Sequence, residues 1–140
     1  MATFNKYNCF VEDLAEKVHN LGSDVLKFAL TNTAPTATDT VWNTTVYPAP
    51  AAANGYTAGG HTPSITSSAQ TSGTYKLVLG DVTITATPGG IGPFRYVVLY
   101  NSSASNKVLG YLDYLSSITL ADTETLTIDC DASAGVLTLA

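Results

Sequence analysis

The sequence predicts a mainly β protein, an antiparallel β-sandwich or jelly-roll-like domain with one N-terminal amphipathic α-helix. Three observations lead there. Threonine is the commonest residue, with 21 in 140, and its branched side chain suits a pleated strand better than a helix interior. Charged residues make up 12% of the chain against about 25% in ordinary soluble domains, so uncharged Thr, Ser and Asn must face the water. Beyond Gly22, apolar residues recur at every second position in short runs separated by Gly, Pro, Asn and Ser.

The helix is expected in "NCFVEDLAEKVHNLG". Val11, Leu14, Val18 and Leu21 fall on one face, and Phe10 widens that stripe. Asn8 is the expected N-cap and Gly22 the expected C′ residue. Glu12, Asp13 and Glu16 suit the positive end of the helix dipole, and Asp13 can pair with Lys17 one turn on. A chain of this length is expected to form one domain over residues 1–140. Residues 1–22 would be an N-terminal arm and helix, and residues 23–140 a β-sandwich with an extended loop excursion at about 34–71.

The strands follow in order. "DVLKFALTN" alternates, and "GTYKLVLGDVTITAT" gives two runs broken at Gly80-Asp81. "FRYVVLYN" is apolar on both faces except for Arg95, as a strand covered on both sides would be. "KVLGYLDYLSSITL" comes next. In "ETLTIDCD", Leu126, Ile128 and Cys130 share the core face while Thr125, Thr127, Asp129 and Asp131 share the wet one. "GVLTLA" closes the chain after a turn at Ala132-Ser133-Ala134-Gly135.

Motifs that would carry chemistry are weak. "TPGGIGP" and "NGYTAGGHTP" are glycine-rich, yet neither has the Gly-Lys-Ser/Thr ending or the following helix of a phosphate loop. Both read as turns. The two histidines, His19 and His61, lie in no metal-ligand spacing. Asp129, Asp131 and Ser133 alternate as in a calcium loop, but Ala134 replaces the required Gly and no bidentate Glu follows. No G-x-S-x-G elbow surrounds any serine. The expectation is a non-enzyme with no metal and no cofactor. The formal net charge is −5 and the six basic residues are scattered singly, so no nucleic-acid partner is expected. "MATFNKYNCF" has no continuous apolar core of a signal peptide, and no run approaches a membrane span, so synthesis in the cytoplasm and no membrane partner are expected.

Aromatic residues outside the expected strands are the remaining signal. Phe4, Tyr7, Trp42, Tyr47 and Tyr56 are candidate subunit or shell contacts, because rings on arms and loops can anchor a partner. Trp42, Tyr47 and Tyr56 would equally suit stacking on sugar rings, the basis for an alternative carbohydrate-binding jelly-roll module. The competing expectation is that all five fold back on the chain's own sandwich.

"AEKVHNLGSDVLKFALTNTAP", "NGYTAGG", "GPFRYVVLYN" and "GVLTLA" together resemble a set of small tailed-bacteriophage virion structural proteins, the capsid decoration or cement proteins. The resemblance spans nearly the whole chain. It departs from the family in "GYLDYLSS" and at Cys130, which implies a repacked core. It implies a protein that binds the outer surface of the head shell and stabilises it, with the major capsid protein as partner and the virion as its location. It carries over a role and no active site. A tail or head–tail component is the alternative within the same class. A homo-oligomer is expected, preferably a trimer at local three-fold axes of the shell.

Overall fold

The computed structural model describes residues 3–140. Its elements are β1 (Thr3–Lys6), α1 (Cys9–Ala15), β2 (Leu26–Thr31), β3 (Ile65–Thr71), β4 (Thr74–Leu79), β5 (Val82–Thr85), β6 (Ile91–Asn101), β7 (Lys107–Leu120), β8 (Thr125–Ile128) and β9 (Leu137–Leu139). The protein is mainly β, with antiparallel sheets and one short helix near the N-terminus, as the alternation and the Thr content predict. One sheet has the order β1-β7-β6-β2. Facing it are a three-stranded sheet, β3-β4-β9, and a two-stranded pair, β5-β8. The break at Gly80-Asp81 is where the chain leaves one of these small sheets for the other. Gly80 N–H bonds to Ser64 O at 2.8 Å, and the Asp81 carboxylate accepts the Cys130 N–H at 2.9 Å.

The main core lies between these layers. Phe28 and Leu30 of β2 and Val97 and Leu99 of β6 meet Leu77 and Leu79 of β4, Ile84 of β5 and Ile128 of β8. Cys130 is buried among them, as its spacing behind Leu126 and Ile128 predicts. A second cluster occupies the opposite face of the four-stranded sheet, where Ala29, Val98, Tyr100 and Val108 meet Tyr7, Trp42 and Tyr47. This explains why β6 is apolar on both faces. It is an inner strand of a sheet covered twice.

The second cover is the excursion, pinned at intervals. Phe28 and His61 exchange backbone bonds at 2.8 and 2.9 Å, Trp42 N–H reaches Asn106 O at 2.8 Å, and Asn8 N–H reaches Ala37 O at 2.9 Å. Gly60 sits so close to β2 that a Cβ there would lie 2.2 Å from Phe28 O, and its φ is +89°. No other residue fits that approach without displacing the strand. The excursion is shorter than expected. Residues 65–71 are strand β3, joined to β4 by a two-residue turn with Ser72 at φ 51° and Gly73 at φ 84°.

The N-terminal region needs two corrections. Residues 3–6 are not an arm; they form β1, paired with β7 from Thr3↔Asp113 to Lys6↔Gly110. The helix stops at Ala15, well before Gly22. Val18 N–H bonds to Asp13 O and Lys17 N–H to Leu14 O, a Schellman ending with Lys17 at φ 64° where Gly is the usual choice. Asn8 has helical backbone and makes no side-chain cap bond. The expected stripe is broken accordingly. Phe10 is buried, Val11 is 53% exposed, and Asp13 is buried. Asp13 pairs with Lys107 of β7 at 3.1 Å rather than with Lys17, because the short helix turns its acidic side toward the start of that strand.

Candidate functional site

The five candidate contact aromatics come first. β1 carries Phe4 onto the sheet, where it is half-buried and packs over Gly110; a Cβ at that glycine would lie 2.2 Å from the Phe4 ring. Tyr7 and Tyr47 are fully buried, Trp42 is 7% exposed, and Tyr56 is buried. Trp42 stacks on Tyr100, with ring centroids 4.5 Å apart and planes 9° off parallel. Tyr7 and Tyr47 join hydroxyls at 3.1 Å, and the Tyr47 hydroxyl donates to Asp39 at 2.5 Å. Tyr56 accepts the Leu30 N–H through its hydroxyl at 3.0 Å. Four of the five rings are therefore inside their own protein. Their burial removes the motive for stacking on sugar faces, and it makes the excursion a fixed lid over the sheet rather than a free loop.

Burial also sets the electrostatics here. It pushes the Tyr100 hydroxyl up to about 12, and that hydroxyl donates to Gly59 O at 2.6 Å. Desolvation holds the Tyr7 and Tyr47 phenols far above their ordinary range, with the neighbouring Asp39 charge adding to it. None of these hydroxyls is disposed to act as a base.

A polar cluster joins the helix region to the β6–β7 turn. Asn101, fully buried, accepts the N–H groups of Ser103 and Ala104 through Oδ1 at 3.0 and 3.2 Å. Its amide nitrogen donates to Asp24 at 2.6 Å and lies 3.1 Å from His19 Nδ1. With the amide orientation fixed by two backbone donors, Nδ1 must accept, and the neutral ring carries its proton on Nε2. That Nε2 and Asp13 Oδ2 are both buried with no hydrogen-bond partner among the described residues. Burial lowers the His19 pKa, opposed by Asp13 and Asp24 and assisted by Lys107. Neither this cluster nor Arg95–Asp113 was visible in the sequence, because their partners are many residues apart and share no motif.

Arg95 grips Asp113 with two bonds, at 2.8 and 3.0 Å. The same carboxylate accepts the Leu115 N–H at 2.7 Å and steadies a bulge whose tip, Leu115, is 76% exposed at φ 67°. Asp131 caps its own turn, accepting Ser133 and Ala134 N–H groups at 2.7 and 2.9 Å, and these bonds lower its pKa. The carboxylate that sequence alternation offered to calcium is thus engaged by backbone. Among the described residues no group of three or more His, Cys, Asp or Glu is placed to hold a metal ion. Both glycine-rich stretches are turns, closed by Gly60 N–H to Thr57 O and Gly90 N–H to Thr87 O.

One open groove of about 500 Å³ lies between the segment after α1 and the β3-β4-β9 sheet, with Leu14, Leu21, Tyr75 and Leu139 as apolar walls and Lys17 at its edge. No family model, curated protein or solved structure matches the chain.

Proposed function

We propose that the chain is a bacteriophage capsid decoration protein, binding the outer surface of the head shell through the major capsid protein and stabilising it. One observation supports this reading above the others. Asp39, Asn101, Asp113 and Asp131, groups of the kind that chemistry would require, are engaged in holding the chain's own turns and strands together. What faces outward is a weakly charged Thr- and Ser-rich β surface with isolated apolar residues such as Val11 and Leu115. Such a surface suits adhesion to a repeating lattice, where several weak contacts add because the shell subunits are already held in place. The resemblance of the sequence to tailed-phage cement proteins points the same way. A tail or head–tail component is the alternative in this reading, and a homotrimer at local three-fold axes is its preferred form.

Among the described residues no helix is long and apolar enough to cross a membrane. The virion is the proposed location. Co-sedimentation with empty shells assembled from the major capsid protein alone tests the reading. Saturable binding is expected; a protein left entirely in the supernatant contradicts it, and binding only to purified tails transfers the role to the alternative.

A further inference from the structure

The sheets differ in how their edges are closed. The outer edge of β2 is covered by the Phe28–His61 exchange. β5, β8 and β9 are three or four residues long. β3 has seven residues, lies at the end of the order β3-β4-β9, and is exposed or half-exposed at every position. An edge of that length is ordinarily protected by Lys, Pro or an inward charge. "ITSSAQT" contains none of these, and its one register irregularity, between Ile65 and Ser67, lies outside the stretch from Ser68 to Gln70.

Its hydrogen-bonding register is fixed by the hairpin. The pair flanking a two-residue turn, Thr71↔Thr74, is of the hydrogen-bonded kind, so Ala69↔Lys76 is as well. The intervening Ser68 and Gln70 therefore turn their N–H and C=O groups away from β4. From this we propose that β3 pairs with β3 of a second copy, antiparallel about a two-fold axis at Ala69. Ser68 of each copy then exchanges two backbone bonds with Gln70 of the other, and the two Ala69 residues face each other as the closely spaced pair. The match is self-consistent. The closest side chains are methyl groups, and an uncharged edge meets its own copy without the like-charge repulsion that a charged one would suffer. Two three-stranded sheets become one of six. Such a contact makes pairs, so a three-fold assembly could include it only as a hexamer of two trimers. It is independent of what the surface binds in a particle.

Sedimentation at micromolar concentration and a crosslinking variant test it. The wild type is expected to sediment as a dimer or an even-numbered assembly. Gln70→Pro removes an outward N–H, together with the side-chain acceptor of the Gly73 N–H, while leaving the backbone bonds to β4, and should give half-sized particles with the same circular dichroism. Ala69→Cys should form a disulfide-linked dimer under mild oxidation, because facing residues of a non-hydrogen-bonded pair lie about 4.5 Å apart, within the ~4.4–6.8 Å that a disulfide spans. Wild type run in parallel controls for Cys9 and Cys130. A monomeric wild type, an assembly unmoved by Gln70→Pro, or an Ala69→Cys variant that stays uncrosslinked overturns the proposal. Monomers whose shell binding is lost in Gln70→Pro would likewise overturn it, assigning the edge to the shell subunit. Loss of shell binding with the dimer intact would leave the pairing standing and count against the decoration role.

Discussion

Asn101 accepts two backbone N–H groups through its side-chain oxygen, so only its amide nitrogen remains for Asp24 and His19. A proton added to His19 Nδ1 would point a donor at a donor. The folded state therefore favours the neutral ring, and its pKa lies below the ordinary 6.5, chiefly through burial. The sign follows from linkage: the unfolded chain binds this proton more readily, so stability is full above about pH 6.5 and falls as pH drops through the folded pKa. Asp113 and Asp131, both lowered from 3.8, lose their contributions only in stronger acid. The melting temperature should fall between pH 8 and 5, and His19→Gln, which can still accept from Asn101, should reduce that fall, leaving the share of His61, whose ring is also held below 6.5 by burial. A wild-type profile that is already flat contradicts the assignment. Lys17 offers a second test. Its left-handed backbone costs an L residue about 1–2 kcal/mol, so Lys17→Gly should stabilise the fold by roughly 1 kcal/mol, measured by urea unfolding. Trp42→Ala should cost about 3–5 kcal/mol, as for other large buried rings, and unchanged stability would show that its stack on Tyr100 contributes little.

At the scale of elements, β6 and β8 were legible because burial imposes a pattern on them. β6 is covered twice and reads apolar on both faces except for Arg95, while β8 has one wet face and alternates. β3 was hidden inside the excursion because an exposed edge strand has no core face to mark its period. The sequence of β1 resembles an arm for a related reason. Four residues, "TFNK", are too few to show a period. The sequence pattern extends the helix too far because Val18 and Leu21 continue a helical spacing beyond the turn at Lys17. A consequence concerns truncation. Were residues 1–7 an arm, deleting them would leave the core intact; as β1 plus the buried Tyr7, they close an edge of the main sheet and seat a ring against Val98 and Tyr47. The deletion should lower the melting temperature sharply or abolish cooperative unfolding. A truncated protein that melts like the intact one would contradict the role given to β1.

At the scale of the whole molecule, the four-stranded sheet is the organising layer, with strands on one side and the excursion on the other. The sequence signalled that something unusual occupied residues 34–64 through its loop aromatics, but not which way the rings point. Trp42, Tyr47 and Tyr56 look alike on the page whether they reach outward to a partner or inward to Tyr100, Asp39 and Leu30. Only the fold decides that. With the rings turned inward, the proposed adhesion to a shell lattice falls to the weakly charged β surface, the β3 edge being assigned to a second copy of the chain. The proposed decoration role is tested most directly by cryo-electron microscopy of phage particles purified from cultures that produce the chain, with the protein marked by a bound antibody fragment. Ordered density at repeated positions on the outer surface of the head is expected. Density confined to the tail, or virions that lack the protein, would contradict it.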